Sequence, residues 1–253
     1  MIKWMQFQLN NGINGNDTLF TRREQTTMWT PHVNYPVSDR AREVYGGRNF
    51  NGYGLGWGTT EYHGKQMVSH TGGYDGMYSA VTMLPTEKIG VVILTNTMDG
   101  IGTLLSYEII DRLLGLPQQD WKNRGINQDK GHWADRAARI KERTDARIMG
   151  TKPSMDVVAI SGLYRCPLFG DIRILEENGK LTIDFVHSPQ LKARLSHWHN
   201  DTYQLEWLEE QAWFEFGTVQ IQMNNSGKPS GLLFDVPNDD IFFEEIKAVR
   251  VTP

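Results

Sequence analysis

The sequence predicts an α+β protein with two different regions: an antiparallel sheet flanked by helices, followed by an all-β barrel of about eight strands. Two apolar runs of strand length, 77–84 and 89–94, are joined by the turn signal at 85–88. Residues 101–114 then show helical spacing, whereas residues 154–253 show short alternating runs separated by turn signals.

Length, net charge, apolar runs and cysteine count limit the classes of protein to which the chain can belong. The 253 residues have room for one large or two modest domains, and a net charge of −4 gives no reason to expect a nucleic-acid partner. No apolar run approaches the roughly 18 to 20 residues that cross a bilayer, so we expect no membrane insertion. With Cys166 as the single cysteine, an internal disulfide is excluded.

The chain opens on a pattern typical of an amphipathic helix. Ile2, Met5 and Leu9 recur at helical spacing, and Asn10–Gly12 supplies a stop signal. Such a short helix needs a partner on which to bury its apolar face.

A second helix is predicted from Asp17 to Trp29. Asp17 is a suitable N-cap, and Pro31 ends the helix. Residues 30–51 are predicted to be irregular, because prolines and a Gly-Gly pair interrupt them.

Sheet strands are predicted between Gly52 and Asn96, and the run at 89–94 is expected to be buried on both faces. Strand alternation places Val68, His70 and Gly72 on one face. Gly72 and Gly73 leave a stretch of strand without side chains, which a substrate backbone can approach closely. A Gly-rich connection, 74–76, follows this stretch. The alternative is a plain turn with a solvated histidine.

Residues 118–153 are predicted to form a charged helical linker. Eight Lys/Arg stand against five Asp/Glu in the first 33 of these residues, and 133–147 is a good helix former. A nucleic-acid-binding helix is the less favoured alternative, because the whole chain is acidic.

The last hundred residues predict a small up-and-down barrel or a sandwich. The predicted strands are 171–175, 181–186, 193–197, 203–207, 214–216, 219–223, 231–236 and 242–246. His197 and His199 form an H-x-H pair, but no third histidine or cysteine is near in sequence, so we predict no metal site.

The triplet His70-Thr71-Gly72 resembles the third motif of serine β-lactamases and penicillin-binding proteins, K-T-G or a variant of it. The upstream YGLGW pattern, Tyr53–Trp57, resembles the strand that leads into this motif. The resemblance covers roughly residues 1–115. It implies that 1–117 is the C-terminal portion of a β-lactamase-like α/β/α sandwich. Residues 154–253 resemble the lipocalin-like domain often attached behind such domains.

The resemblance implies roles for four residues. His70 and the backbone N–H of Gly73 would be catalytic, the latter as an oxyanion-hole donor, while Thr71 and Gly72 would bind substrate. No cofactor is implied. Since His70 stands where the family usually has lysine, the peptidase and esterase branches fit better than true β-lactamases.

Two motifs of the family are absent from these 253 residues. No serine has lysine three positions on, and no tyrosine fits Y-x-N. We therefore expect the chain to be a C-terminal fragment, inactive alone, of an exported (periplasmic or secreted) bacterial serine hydrolase. Its substrates would be D-amino-acid peptides, β-lactams or small esters, reached through an acyl-enzyme.

The alternative is a binding module without chemistry, in which the barrel holds a small apolar or peptide ligand. The fragment hypothesis makes a prediction of its own. The opening helix and the sheet should expose apolar surface, on which the missing N-terminal half or another chain would pack.

Overall fold

The computed structural model describes residues 1–74, 76–98, 100–238 and 241–251, so Asp75 of the predicted Gly-rich connection lies outside the described residues. The chain forms two compact units, Met1–Lys130 and Gly131–Pro253. Helices take 28% of the residues and strands 36%, which confirms the α+β class. The boundaries of the predicted linker, 118–153, stay a prediction.

The first unit contains four complete helices and the beginning of a fifth. The helices are α1 (Ile2–Leu9), α2 (Arg22–Trp29), α3 (Asp39–Val44), α4 (Ile101–Leu114) and α5 (Trp121–Asp145). The strands are β1 (Ile13–Asn14), β2 (Asp17–Thr18), β3 (Val33–Asn34), β4 (Asn51–Tyr53), β5 (Gly58–Tyr62), β6 (Lys65–Tyr74), β7 (Met77–Leu84) and β8 (Ile89–Thr95).

Strands β3 to β8 form one antiparallel sheet in chain order, with a helix on each face. Helix α1 packs closely where Gly90 leaves room, because a Cβ there would collide with Met5. On the other face, a Cβ at Gly102 of α4 would lie 3.4 Å from Ala80 and Ile93. The predicted sheet flanked by helices is therefore confirmed.

The predicted start of α2 is wrong. Asp17 lies in the two-residue strand β2, and the helix begins after Thr21. The Thr21 hydroxyl accepts from the Glu24 backbone N–H, and the Glu24 carboxylate accepts from the Thr21 N–H. The helix begins at this reciprocal capping box rather than at Asp17, because the box satisfies two backbone N–H donors.

Two further sequence predictions for this unit fail. Residues 30–51 are not irregular throughout, since Ser38 caps the short helix α3. Strand β8 is not buried on both faces: it is the edge of the described sheet, and Leu94 is 67% exposed. The apolar sequence of β8 does not show whether the strand has a neighbouring strand on both of its sides.

Helix α4 has the predicted bounds and ends at Gly115 in the left-handed conformation. Helix α5 begins at Trp121 rather than at 133. The buried Trp121 indole donates to Asp111 at 2.7 Å, and Tyr62 donates to the same carboxylate. This anchor depends on a contact across ten residues, which helical periodicity does not reveal.

The second unit is a closed antiparallel barrel of eight strands, as predicted. The strands are β9 (Gly162–Cys166), β10 (Gly170–Glu177), β11 (Lys180–Phe185), β12 (Lys192–His199), β13 (Thr202–Trp207), β14 (Thr218–Met223), β15 (Pro229–Asp235) and β16 (Ala248–Arg250). Pairing of β16 with β9 closes the barrel. A short helix, α6 (Val157–Ile160), precedes it.

Six of the eight predicted strands are confirmed, and two are wrong. Residues 214–216 carry no strand, and 243–245 form a 3₁₀ turn. Their aromatic side chains, Phe214 and Phe243, are buried against each other at 5.0 Å between ring centroids. The strands that were missed are β9 and β16, whose pairing closes the barrel.

The inward side chains of the barrel form one contiguous buried cluster that includes Tyr164, Ile172, Leu205 and Leu232. Arg250 of β16 donates to the carbonyl groups of Ala159 and Ser161 and so ties α6 to the barrel. Among the described helices, none is both long and apolar enough to cross a membrane.

Candidate active site

The stretch His70–Tyr74 is a free sheet edge on one side. Strand β6 pairs with β7 from Val68 to Tyr74, but it pairs with β5 only from Lys65 to Ser69. Within the described chain, residues 70–74 therefore have a partner strand on one side only. Extended backbone with a free edge can accept another extended segment through main-chain hydrogen bonds.

The four residues singled out from the sequence are consecutive in this exposed stretch. Val68, His70 and Gly72 lie on the sheet face that α1 covers, as alternation predicts, because they pair with Met83, Val81 and Ser79. Thr71 and Gly73 point to the opposite face. The structure thus brings the His70 imidazole beside the bare backbone of Gly72, and it places the Thr71 side chain away from both.

His70 has a partner that the sequence analysis did not assign. The Tyr53 hydroxyl lies 2.8 Å from His70 Nε2, and the two rings are 6.0 Å apart between centroids. Tyr53 is the last residue of β4, and β5 begins at Gly58, so both side chains lie at the same end of the sheet. A phenol that donates to Nε2 leaves the proton of a neutral imidazole on Nδ1.

Ser79 is a second residue that the sequence did not indicate. It lies opposite Gly72 on β7, and its hydroxyl donates to the Gly72 carbonyl at 3.2 Å. This bond occupies the carbonyl group of the bare segment from the side of the neighbouring strand. The signal for Tyr53 was its place in the YGLGW pattern, whereas no sequence signal pointed to Ser79.

Tryptophan side chains hold the surroundings of the site in place. Trp57 is 5% exposed, and it stacks on Trp4 of α1 at 5.4 Å with an interplanar angle of 13°. Trp29 of α2 packs edge-on against the Trp57 ring, with 6.4 Å between the ring centroids. The loop that leads into β5 is thereby fixed between two helices and the sheet.

Each histidine of the H-x-H pair in the barrel makes a hydrogen bond to the backbone. His197 Nε2 lies 2.9 Å from the Asn200 carbonyl, and His199 Nδ1 accepts from the backbone N–H of Ile148 at 3.2 Å. The ladder register also shifts between the two histidines. In the part of the chain that the structure describes, no three His, Cys, Asp or Glu side chains are grouped to hold a metal ion.

Comparisons with known proteins divide the chain in the same order. Residues 1–113 match the Beta-lactamase family model. Residues 146–250 match a domain of unknown function, DUF3471.

Two fungal relatives match a short stretch of the chain. The unguisins hydrolase ungD of Aspergillus violaceofuscus is 41% identical over 71 residues, which are 27% of this chain and 12% of that protein. The unguisins hydrolase ungD' of Aspergillus campestris is 35% identical over 75 residues, 27% of this chain and 14% of that protein. The matches therefore span a small part of the length of these relatives.

A solved structure with some likeness is the octameric penicillin-binding protein homologue from Pyrococcus abyssi. It is 13% identical, with a TM-score of 0.40, over 98% of this chain and 45% of that chain. The family matches and the fold together give the assignment. Residues 1–113 form a β-lactamase-like region, and an eight-stranded barrel domain follows it.

Proposed function

We propose that this chain supplies one wall of the active site of a serine hydrolase that works through an acyl-enzyme. The observation that carries the proposal is the free edge at His70–Gly73, with an exposed imidazole beside bare backbone. The substrates would be D-amino-acid peptides, β-lactams or small esters. The two Aspergillus relatives are named as hydrolases, which supports hydrolysis as the class of reaction.

In the proposed reaction, the hydroxyl of a serine outside these 253 residues attacks the substrate carbonyl carbon and loses its proton to a neighbouring lysine. The carbonyl oxygen becomes negative, and the N–H of Gly73 stabilises it. The bond to the leaving group then breaks, and the leaving group takes the proton. Water attacks the acyl-enzyme in the same way and regenerates the serine.

The chain's own contribution is His70, held by Tyr53. We propose that His70 hydrogen-bonds the substrate carboxylate or tunes the tyrosine of the missing Y-x-N motif. A group that assists proton transfer at the reacting centre typically contributes about 10²–10⁴ in rate. Thr71 and Gly72 would contact substrate through their backbone.

Exposed apolar side chains support the proposal that further polypeptide packs on the first unit. Ile2 of α1 is 65% exposed, although the same helix buries Met5 and Leu9. We propose that the missing half of the hydrolase domain, or another chain, covers this surface. Export of the parent protein to the periplasm or outside the cell remains part of the same proposal.

The competing proposal, a barrel that holds a ligand in its lumen, has no support from the packing. The inward side chains of the described strands form one buried cluster rather than lining an opening. We therefore favour the hydrolase.

Intact mass after exposure to a fluorophosphonate probe tests the proposal. We expect no adduct on the 28.9 kDa chain alone, and one adduct, on serine, on the proposed longer polypeptide that also carries the S-x-x-K motif. An adduct on the 28.9 kDa chain itself, or none on the longer polypeptide, would contradict the proposed roles.

A further inference from the structure

A groove of about 360 Å³ adjoins the free edge of β6. We call it the His70 groove. Its floor consists of two cross-strand rows on the face that α1 covers. The rows are His70–Val81–Val92 and Gly72–Ser79–Leu94.

The walls of the His70 groove are apolar. Leu55 and Trp57 stand on the side of β5, and Trp4 stands on the side of α1. Leu55 is 55% exposed and Leu94 is 67% exposed, so both offer apolar surface to solvent. Among the described residues that line the groove, none has an Asp, Glu, Lys or Arg side chain.

This lining discriminates between classes of ligand. An apolar group that covers Leu55 and Leu94 removes apolar surface from water, which is favourable. A cationic group would lose hydration there and find no opposite charge among the described lining residues, and an anionic group could meet only the α-amino group of Met1. The polar atoms at the site, the His70 imidazole and the Ser79 hydroxyl, lie in the floor beside the bare backbone.

We infer that the His70 groove binds a neutral, apolar side chain of the substrate. The backbone of that substrate would lie along the free edge of β6. The substrate class is then amides or esters of hydrophobic amino acids, rather than acidic or basic ones. This inference rests on the proposed function, because it concerns the same site. It depends on the groove and its lining, however, and not on the missing serine.

Binding to the chain can be measured without any hydrolysis. The probes are N-acetyl-phenylalaninamide and N-acetyl-aspartic acid α-amide, in both the D and L forms, titrated into ¹⁵N-labelled chain. The observed signals are the backbone amides of Gly72 and Ser79. We expect the apolar probe to bind at least about 10-fold more tightly than the acidic one, since even a single methylene in an apolar pocket is typically worth about 10–200-fold.

A charge placed in the groove should reverse the preference. Leu94→Lys should weaken binding of the apolar probe about 10-fold and improve binding of the acidic probe. Leu113→Lys is the matched control, because Leu113 is similarly exposed, at 60% against 67% for Leu94, but lies on α4. It should leave both affinities unchanged.

Equal affinity for the two probes, or the same effect from both lysine variants, would overturn the inference. Apolar binding that shifts with Leu94→Lys would support it even if the longer polypeptide never reacts with the fluorophosphonate probe. In that case the proposed hydrolysis fails, and the groove assignment stands. If the longer polypeptide is labelled but the apolar probe does not bind, the proposed hydrolysis stands and the groove assignment fails.

Discussion

The Tyr53 hydroxyl and His70 Nε2 lie 2.8 Å apart, and this contact ties the last residue of β4 to the free part of β6. Histidine is the side chain whose charge and tautomer respond most readily to such a partner near neutral pH. The contact orients the imidazole, and a phenol that donates to Nε2 leaves the proton of the neutral ring on Nδ1. Tyr53 is therefore a positioning residue for His70.

Substitution Tyr53→Phe should release the His70 imidazole. Loss of one hydrogen bond, worth about 1 kcal/mol, changes a tautomer ratio roughly 5-fold. ¹⁵N NMR of the imidazole nitrogens should show mainly the Nδ1–H form in the wild type and a mixture in the variant. Tyr35→Phe, at another exposed tyrosine, is the control. Unchanged nitrogen shifts in Tyr53→Phe would contradict the positioning role.

For single residues, the sequence predicted those features that depend only on positions nearby in the chain. Alternation along a strand places His70 and Gly72 on one face, because the side-chain period is two. The partner of His70 was not predictable, since Tyr53 is 17 residues away on a different strand. Only the register of three strands brings these two side chains together.

Helix α2 shows how an element begins where its first turn is best satisfied. The Thr21–Glu24 capping box bonds two backbone N–H groups that the helix itself leaves without partners. The hydrogen bonds from Thr21 lower the pKa of the Glu24 carboxyl group. The cap is therefore complete at neutral pH and is lost as the pH falls and the carboxylate becomes protonated.

Thr21→Ala should destabilise the first unit by about 1 kcal/mol, because the Glu24 backbone N–H loses its acceptor. Urea unfolding followed by circular dichroism measures this change. Thr18→Ala, in the short strand before the helix, is a matched control and should have a smaller effect. An equal loss in the two variants would mean that the cap is not what stabilises this helix.

Elements were predictable where one local pattern dominates. Helix α4 has the bounds that its apolar spacing and Gly115 predict. Six barrel strands were found in the same way, from alternation and turns. The strand predictions for 214–216 and 242–246 were wrong. Their phenylalanines are apolar enough for strands, but a loop and a 3₁₀ turn carry these side chains into the core.

Each compact unit has its own buried core and its own buried tyrosines. In the first unit, burial raises the pKa of Tyr62 and of Tyr107, and the Asp111 carboxylate adds to the effect at Tyr62. In the barrel, burial raises the pKa of Tyr164 and of Tyr203. All four phenols therefore keep their protons in the folded state at a pH where an unfolded chain, with a tyrosine pKa near 10, has lost them.

The stability of both units should therefore fall at alkaline pH. A raised pKa in the folded state contributes stability that is full below about pH 10 and decreases as the pH rises further. The urea midpoint at pH 10.5 should be lower than at pH 8. Tyrosinate absorbance of the buried groups should appear together with unfolding.

Tyr203→Phe provides the control for this pH dependence. The buried Tyr203 hydroxyl has no hydrogen-bond partner among the described residues, so the substitution removes a titrating group without breaking a bond. The barrel of this variant should lose less stability between pH 8 and pH 10.5 than the wild type. A pH-independent wild-type midpoint would contradict the account.

The most direct test of the central claim, that the His70 edge is one wall of a serine hydrolase site, is the rate of fluorophosphonate labelling. It should be measured on the proposed longer polypeptide that also carries the S-x-x-K motif, with His70→Ala compared to His187→Ala, a substitution at an exposed histidine of the barrel. We predict that His70→Ala slows labelling about 10²-fold or more, while His187→Ala leaves the rate unchanged. Equal rates in wild type and His70→Ala would contradict the claim.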